Sequence, residues 1–331
     1  MNARSVEAAV GDHEPALRVD AVTKSFAGVQ ALRGVSFEAP RGSVLGILGP
    51  NGAGKTTLVD ILCTLLAPDS GQAQVVGYDV ATQGAAVREV ISITRQYSAL
   101  DETLNGRDNL IFFGRMRGLR RASARRRADY LLERFDLVEA ADRVVSGYSG
   151  GMRRRLDIAC GLVVEPAVMF LDEPTTGLDP RSRQAVWALI EALKADGITT
   201  LLTTQYLDEA DRLADNIIVI DRGQIVAEGS AEALKRKVGG TFCQVVLADP
   251  SRVSDFGDLL IGRLGSQHRI VATQEASITL SASDGVDTIA QVIEVALTAG
   301  VRLADIGLRN PSLDDVFLTL TGDHPDTQAG R

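Results

Sequence analysis

The segment GPNGAGKTT, at residues 49–57, limits the possible folds more than any other part of the sequence. It follows the apolar run SVLGIL and precedes the helical pattern KTTLVDILCTLL, so it joins a buried strand to a helix. Its glycines allow the backbone to curl, which turns successive N–H groups and the positive end of the helix dipole toward one anion. This context predicts a phosphate-binding loop.

Within this loop, a lysine supplies the charge that phosphates require. Lys55 would neutralise the β- and γ-phosphates of a nucleotide, and Thr56 would place its hydroxyl on Mg²⁺. The rest of the predicted cradle consists of Gly49, Pro50, Asn51, Gly52, Ala53, Gly54 and Thr57. A glycine turn beside a solvated lysine is the alternative interpretation, but the flanking strand and helix both favour the nucleotide site.

The segment AVMFLDEP, at residues 167–174, indicates a buried strand that ends in two carboxylates. Because side chains alternate along a strand, Asp172 and Glu173 are predicted to point in different directions. One can then reach a metal while the other reaches an attacking water. We predict Asp172 as a Mg²⁺ partner and Glu173 as the general base. Acids that cap the strand in solvent are the alternative interpretation.

A third segment, YSGGMRRRLDIA at residues 148–159, places a serine and two glycines at the start of a helix. Such a start presents a hydroxyl and bare backbone N–H groups to an anion, with the helix dipole behind them. On its own the pattern is weak, because an N-capped helix is what it usually means.

Alternating strand and helix patterns over most of the chain predict an α/β fold around a parallel sheet. The predicted divisions are a tail at residues 1–15, a large α/β domain at 16–238 with an α-helical insert at about 101–163, a small α+β domain at 240–322 and a tail at 323–331. In the small domain, Ser312 and Asp315 are predicted to cap the last helix reciprocally.

Composition excludes several classes of protein. The formal net charge of −8 argues against wholesale binding of nucleic acid. Three widely separated cysteines indicate neither a disulfide framework nor a zinc site. The most apolar run, GLVVEPAVMFL, is interrupted by Glu165 and Pro166, so no transmembrane helix is predicted.

Together the motifs carry a resemblance that none of them carries alone. The order GPNGAGKTT, Gln96, YSGGMRRRLDIA, VMFLDEP, TTGLDP and LLTTQYLDEADRLA resembles the nucleotide-binding subunit of an ABC transporter. Within that family, ITRQYSALDETLNGRDNLIFFGRMRGL and PSLDDVFLTLTG resemble the daunorubicin-resistance type found in actinobacterial drug and lipid exporters. The resemblance implies a P-loop NTPase cassette with a mainly parallel core, an antiparallel β subdomain and an α-helical subdomain, which binds ATP and Mg²⁺.

The resemblance also implies roles for residues that their own patterns leave open. Gln96 matches the Q-loop glutamine, which would touch Mg²⁺ or the attacking water. Asp179, in GLDP, matches the D-loop at the dimer interface. Phe26 lies where the family places an aromatic ring against adenine, although a strand core residue is the alternative interpretation.

The strand tip in LLTTQYLDEADRLA departs from the family pattern. Most ABC cassettes carry a histidine there, whereas this chain has Gln205, and its histidines, His13, His268 and His324, lie outside the core cassette. A glutamine amide can donate to a γ-phosphate oxygen but cannot titrate near neutrality. We predict that Gln205 positions phosphate and water while Glu173 supplies the base.

The resemblance further implies partners. Ser149, Gly150 and Gly151 match the signature that binds the γ-phosphate of ATP held by the opposite subunit. Within one chain, the phosphate loop and the signature lie on separate subdomains and cannot easily close on the same ATP. Two chains arranged head to tail can each supply one of the two motifs to a shared ATP. The expected assembly is a homodimer on the cytoplasmic face of the membrane, with integral membrane permease subunits docked on the helical insert. No nucleic-acid partner and no direct cargo site are predicted.

Other interpretations stay open at this stage. A solvated helix face is the favoured explanation of the seven arginines between residues 115 and 127, and contact with acidic loops or lipid head groups is the alternative. An ABC-type ATPase outside transport is one alternative function. A protein that sequesters a drug without turnover is another, and it predicts no loss of function when Glu173 becomes glutamine.

Overall fold

The computed structural model describes residues 14–95, 99–238, 241–264, 270–274, 276–282 and 284–321. Residues 1–13, 322–331 and Gln96 lie outside this set, so most of the first predicted tail and all of the second are not described. The chain forms two compact units, residues 1–228 and 229–331. The division lies at Glu228 and Gly229, whereas the sequence patterns place it after residue 238.

A six-stranded sheet forms the centre of the first unit. In spatial order its strands are β10 (Gln224–Gly229), β9 (Asn216–Asp221), β3 (Val44–Leu48), β8 (Thr199–Thr204), β7 (Val168–Asp172) and β6 (Ile91–Thr94). The four pairings from β9 to β6 are parallel, which confirms the predicted parallel core. The helices of this unit are α1 (Lys55–Leu62), α2 (Gly84–Val90), α3 (Gly106–Met116), α4 (Arg121–Arg134), α5 (Gly150–Gly161), α6 (Pro180–Ala195) and α7 (Leu207–Leu213).

The inner strands of the central sheet are buried on both faces, which explains the apolar sequences of β3 (VLGIL), β7 (VMFLD) and β9 (NIIVID). Phe170 and Leu201 lie in one hydrophobic cluster, which also contains the buried face of α1. Their chain neighbours Leu171 and Leu202 lie in a second cluster, with residues of α5 and α6. Alternation along each strand therefore packs helices against both sides of the sheet. Each fully buried large apolar side chain stabilises the fold by about 1.5–3 kcal/mol relative to an exposed one.

An antiparallel sheet completes the first unit. Its strands, in spatial order, are β2 (Val29–Ala39), β1 (Leu17–Phe26), β4 (Ser70–Val75) and β5 (Tyr78–Asp79). The loop between β1 and β2 has only two residues, Ala27 and Gly28, and both have positive φ, 46° and 85°. That is the backbone of a type I′ turn, whose twist matches that of the strands it joins. The turn places Phe26 at the tip of the hairpin.

The insert between β6 and β7 is helical, as predicted. It contains α3, α4 and α5, and the Asn105 side chain caps α3 by accepting from the Asp108 N–H at 2.7 Å. Among the residues that the structure describes, no helix combines the length and the apolar character needed to cross a membrane.

The second unit is a small α+β arrangement, as predicted. Its antiparallel strands, in spatial order, are β12 (Ile270–Gln274), β13 (Ser277–Ser281), β11 (Phe242–Leu247) and β14 (Leu303–Arg309), and its helices are α8 (Ala231–Val238), α9 (Val253–Leu264), α10 (Val286–Thr298) and α11 (Leu313–Thr321). The Asp315 N–H donates to the Ser312 hydroxyl at 3.2 Å, and the Ser312 N–H donates to the Asp315 carboxylate at 2.8 Å. The reciprocal cap of α11 is therefore confirmed.

Candidate active site

The carboxyl ends of the central parallel strands bring the predicted motifs to one edge of the sheet. β3 leads into the phosphate loop, β7 ends at Asp172 and β8 ends at Thr204, next to Gln205. In the register of the sheet, Leu48 lies opposite Thr204, and Asp172 lies opposite Thr203. Because β8 lies between β3 and β7, the tip of β8 that precedes Gln205 has the phosphate loop on one side and the two carboxylates on the other.

Two glycines give the phosphate loop its shape. Gly52 and Gly54 have φ values of 80° and 107°, in the region that favours glycine. A Cβ atom at Gly54 would lie 2.5 Å from the carbonyl oxygen of Ala31, so even an alanine side chain would not fit. The loop is also tied to the hairpin after β9, because the Gly223 N–H donates to the Ala53 carbonyl at 3.0 Å.

The lysine of the loop is buried at 5% exposure. The Lys55 ammonium donates to the carbonyl oxygens of Gly49 at 2.7 Å and Pro50 at 3.1 Å. Burial lowers the pKa of Lys55, and the carboxylates of Glu173 and Asp172 act in the opposite direction without fully compensating. A phosphate bound in the loop would therefore stabilise the charged form of this side chain.

One side of the loop is open. Asn51, Gly52 and Thr56 are exposed, whereas Ala53 and Gly54 are buried. The Thr56 side chain, in the first turn of α1, is accessible to a ligand that lies on the loop.

The Asp172 carboxylate is buried and accepts a hydrogen bond from the Thr203 hydroxyl at 2.5 Å. Sequence analysis missed Thr203, because only the strand order places it beside Asp172. The described residues contain no group of three or more His, Cys, Asp and Glu side chains that could hold a metal ion. One carboxylate and the Thr56 hydroxyl instead fit Mg²⁺, which usually binds through one or two protein groups together with substrate phosphates.

Glu173 does not continue strand β7, so this detail of the sequence prediction was wrong. Its φ is +48°, in the left-handed region that is uncommon for residues other than glycine. Its N–H donates to the carbonyl and the hydroxyl oxygen of Thr203, both at 3.1 Å. Its carboxylate accepts from the Thr176 hydroxyl at 3.2 Å. The two carboxylates therefore have different partners because the chain turns after Asp172, not because a strand alternates.

The signature segment contacts the GLDP segment within the chain. The Ser149 side chain caps α5 by accepting from the Met152 N–H at 3.3 Å. A Cβ atom at Gly151 would lie 2.3 Å from the Ser182 hydroxyl oxygen, so this glycine permits a close approach to α6. The Asp179 carboxylate in turn accepts from the Ser182 N–H at 3.0 Å and from its hydroxyl at 2.6 Å. Gly151 and Asp179 therefore share Ser182 as a common neighbour.

Two further predicted site residues are exposed. Phe26 is 46% exposed, with the Lys24 ammonium 5.7 Å from the centroid of its ring, so it is not the core residue of the alternative interpretation. Gln205 is exposed at the tip of β8. Gln96 lies outside the described residues.

Several arginines of the helical insert contact main-chain carbonyls. Arg115 donates to the Leu119 carbonyl at 2.8 Å, and Arg127 donates to the Leu162 carbonyl at 2.8 Å. Arg117 donates to the Arg88 carbonyl at 3.1 Å. These three side chains therefore support the ends of helices, a role that the sequence pattern did not predict.

Known proteins of one family share this combination of motifs. A family model described as "ABC transporter" matches residues 32–176. The doxorubicin resistance ATP-binding protein of Mycobacterium tuberculosis is 53% identical over 315 residues, which are 93% of this chain and 94% of that protein. A daunorubicin resistance ATP-binding protein of Streptomyces coeruleorubidus is 47% identical over 310 residues, which are 94% of this chain and 97% of that protein.

A solved structure shares the fold. The structure of cbiO1 from Clostridium perfringens, described as part of the ABC transporter complex cbiONQ, matches with a TM-score of 0.62 and 29% identity. The match covers 68% of this chain and 95% of that chain, which confirms the predicted cassette fold. The chain belongs to the ABC transporter family, as an ATP-binding, ATP-hydrolysing subunit of the doxorubicin- and daunorubicin-resistance type.

Proposed function

We propose that this ATPase powers the export of a hydrophobic drug of the daunorubicin or doxorubicin kind, or of a complex lipid, through separate membrane subunits. One observation carries the proposal: a phosphate loop and two carboxylates meet at one sheet edge, in a chain that matches a doxorubicin resistance ATP-binding protein along 93% of its length. A role that sequesters a drug without turnover needs no base beside a nucleotide site, so the geometry favours turnover.

Binding of ATP uses the loop and the hairpin tip. The phosphates would lie on the open side of residues 49–57, where the backbone N–H groups and the start of α1 favour an anion. Lys55 would exchange its bonds to the Gly49 and Pro50 carbonyls for bonds to phosphate oxygens. The exposed Phe26 ring offers a face for stacking of the adenine.

Mg²⁺ would be held by the Thr56 hydroxyl and the Asp172 carboxylate, and Gln96 is the third candidate by position in the sequence. When bound, the ion supplies positive charge that neutralises the phosphates. Thr203 would keep the Asp172 carboxylate in one orientation through its 2.5 Å hydrogen bond.

Hydrolysis requires a base and an orienting group. Glu173 is the proposed base, which accepts the proton of the water that attacks the γ-phosphorus. Gln205, at the tip of the neighbouring strand, would donate from its amide to a γ-phosphate oxygen and to that water. Its lack of charge weakens stabilisation of the transition state by about 1 kcal/mol relative to a charged donor.

The functional assembly is proposed to be a homodimer with two composite sites. Ser149 and Gly150 are exposed at the start of α5, where a hydroxyl and backbone N–H groups can meet the γ-phosphate of ATP held by a second copy. Asp179, also exposed, would lie at the interface between the copies. ATP then favours the closed pair, and hydrolysis releases it.

Integral membrane permease subunits are the other proposed partners. They would dock on the helical insert, so the chain would lie at the cytoplasmic face of the membrane as a peripheral subunit. Exposed apolar side chains of α3, among them Phe112 and Met116, give that insert a surface for protein contact.

A variant with the usual histidine tests the role of Gln205. Gln205→His is expected to add one ionisation to the pH profile of kcat, at about pH 6–7, because an exposed imidazole titrates near its reference pKa. The profile is measured as steady-state phosphate release from about pH 5.5 to about pH 8.5, a range that brackets the reference imidazole pKa. An unchanged profile would count against Gln205 lying at the γ-phosphate.

The proposed export is tested in cells that lack drug pumps. Co-expression of the chain with its membrane subunits is expected to lower the accumulation of doxorubicin, and Glu173→Gln co-expressed at the same level is expected to abolish that effect. Fluorescence of the cell-associated drug gives the measurement. If the Glu173→Gln variant still lowers accumulation, the chain acts by sequestration rather than by ATP-driven export.

A further inference from the structure

Arg154 is a buried cation for which the sequence motifs give no role. It lies in the second turn of α5, five positions after the signature serine, and is 9% exposed. Its guanidinium donates to four main-chain carbonyl oxygens, those of Arg95 at 2.6 Å, Pro174 at 2.7 Å, Glu173 at 3.0 Å and Asp172 at 3.1 Å. Three of these oxygens belong to the segment that carries the proposed metal partner and the proposed base.

Burial of a charged side chain is unfavourable unless the charge is paired and hydrogen-bonded. The Asp157 carboxylate, 3.6 Å from the Arg154 guanidinium, is the paired charge on the same helix. The planar guanidinium has five N–H donors in a fixed geometry, so it can serve four carbonyl oxygens at once, whereas an ammonium has only three N–H donors. These bonds run from the helix that begins at the signature to the end of strand β7.

Arg154 also binds the chain just before Gln96. The Arg95 carbonyl accepts from Arg154, while the Arg95 side chain forms an ion pair with Asp60 of α1, the helix that follows the phosphate loop. The guanidinium thus contacts the end of β7 and the chain after β6, and through Arg95 it is linked to α1.

The contact with Glu173 has a specific consequence for its backbone. A left-handed conformation at a residue other than glycine persists only when the surrounding structure holds it. At Glu173 the N–H is held by Thr203 of strand β8, and the carbonyl is held by Arg154 of helix α5. Without Arg154, the Glu173 carbonyl would keep only the longer bond from the Thr176 N–H, at 3.4 Å.

We propose that Arg154 is a positioning residue that holds Glu173 in its left-handed conformation and thereby couples the signature helix to the general base. A displacement of α5, when the signature engages ATP on a second copy, would move the guanidinium against the Glu173 carbonyl. The proposal rests on the role of Glu173 as base in the proposed function. It makes the rate of the chemical step, rather than the affinity for ATP, depend on Arg154.

The first test separates kcat from KM. Arg154→Gln is expected to lower kcat for ATP about tenfold, because release of a strained backbone displaces the base. KM is expected to stay within about twofold, because Arg154 does not touch the phosphate loop. Arg155→Gln is the matched control: Arg155 donates to the Phe135 carbonyl at 2.8 Å, away from the site, so its loss is expected to leave kcat unchanged.

The second test is a double-mutant cycle with Glu173→Gln, measured as single-turnover hydrolysis with enzyme in excess. If Arg154 acts through Glu173, then Arg154→Gln slows the parent but not the Glu173→Gln variant. An equal slowing in both backgrounds, or equal losses for Arg154→Gln and Arg155→Gln, would show a general structural role and overturn the proposal.

Two outcomes separate this proposal from the assignment of the base. A Glu173→Gln variant as fast as the parent would overturn the base and the coupling together. A slow Glu173→Gln variant beside a parent-like Arg154→Gln variant would overturn the coupling alone. Should Arg154→Gln not fold, Arg154→Lys replaces it in both tests, because it keeps the charge but cannot serve four carbonyl oxygens.

Discussion

Glu173→Gln is expected to lower the kcat of ATP hydrolysis by about 10²–10⁴-fold, the range that a general base contributes. The amide has nearly the same shape as the carboxylate and can still accept from the Thr176 hydroxyl, but it cannot take up a proton from water. The Kd for ATP is therefore expected to stay within about twofold of that of the parent. Phosphate release and an equilibrium titration with a fluorescent ATP analogue measure the two quantities.

The matched control for this variant is Glu191→Gln. Glu191 is a carboxylate of α6 that pairs with Arg212 at 2.9 Å, and exposed pairs of this kind contribute little to stability. Its substitution is expected to leave kcat unchanged. A Glu173→Gln variant that hydrolyses ATP as fast as the Glu191→Gln control would assign the base to another residue.

Lys55→Ala is expected to raise the Kd for ATP about 10- to 100-fold, because charge-assisted hydrogen bonds to the phosphates contribute about 1.5–3 kcal/mol. The loss of kcat/KM is expected to be larger, about 10²–10³-fold, since a charged donor stabilises the transition state more than the ground state. Isothermal titration and steady-state phosphate release measure these effects.

The fold of the Lys55→Ala variant needs a separate check, because the carbonyls of Gly49 and Pro50 lose their donor. Thermal unfolding followed by circular dichroism provides it. Lys194→Ala is the control: Lys194 pairs with Asp215 at the surface and is remote in sequence from the loop. If Lys55→Ala binds ATP as tightly as Lys194→Ala, the phosphates do not lie against Lys55.

Short segments were sufficient to predict the phosphate loop. The strand, the glycines and the helix that surround Lys55 are consecutive in the chain, and their preferences agree. The cap of α11 is another local feature, since Ser312 and Asp315 satisfy each other three positions apart. The mainly parallel sheet was predicted from the alternation of strand and helix patterns along the chain.

Other site features depend on residues that are distant in sequence. Thr203 meets Asp172 only because β8 lies beside β7 in the sheet. Arg154, in a run of three arginines, has no local mark that separates it from its neighbours. The prediction for Glu173 was wrong in conformation because strand periodicity was extended one residue too far. At this left-handed residue, Thr203 accepts from the N–H and Arg154 donates to the carbonyl.

The sequence by itself therefore determined the types of chemical group in this protein and the elements that carry them. It did so because glycine turns, caps and apolar periodicity act over a few residues. The tertiary structure alone decided which of three adjacent arginines reaches the carbonyl of the proposed base, and how that base is turned. The physical reason is that a buried cation and a strained backbone are stable only when partners from several distant segments surround them.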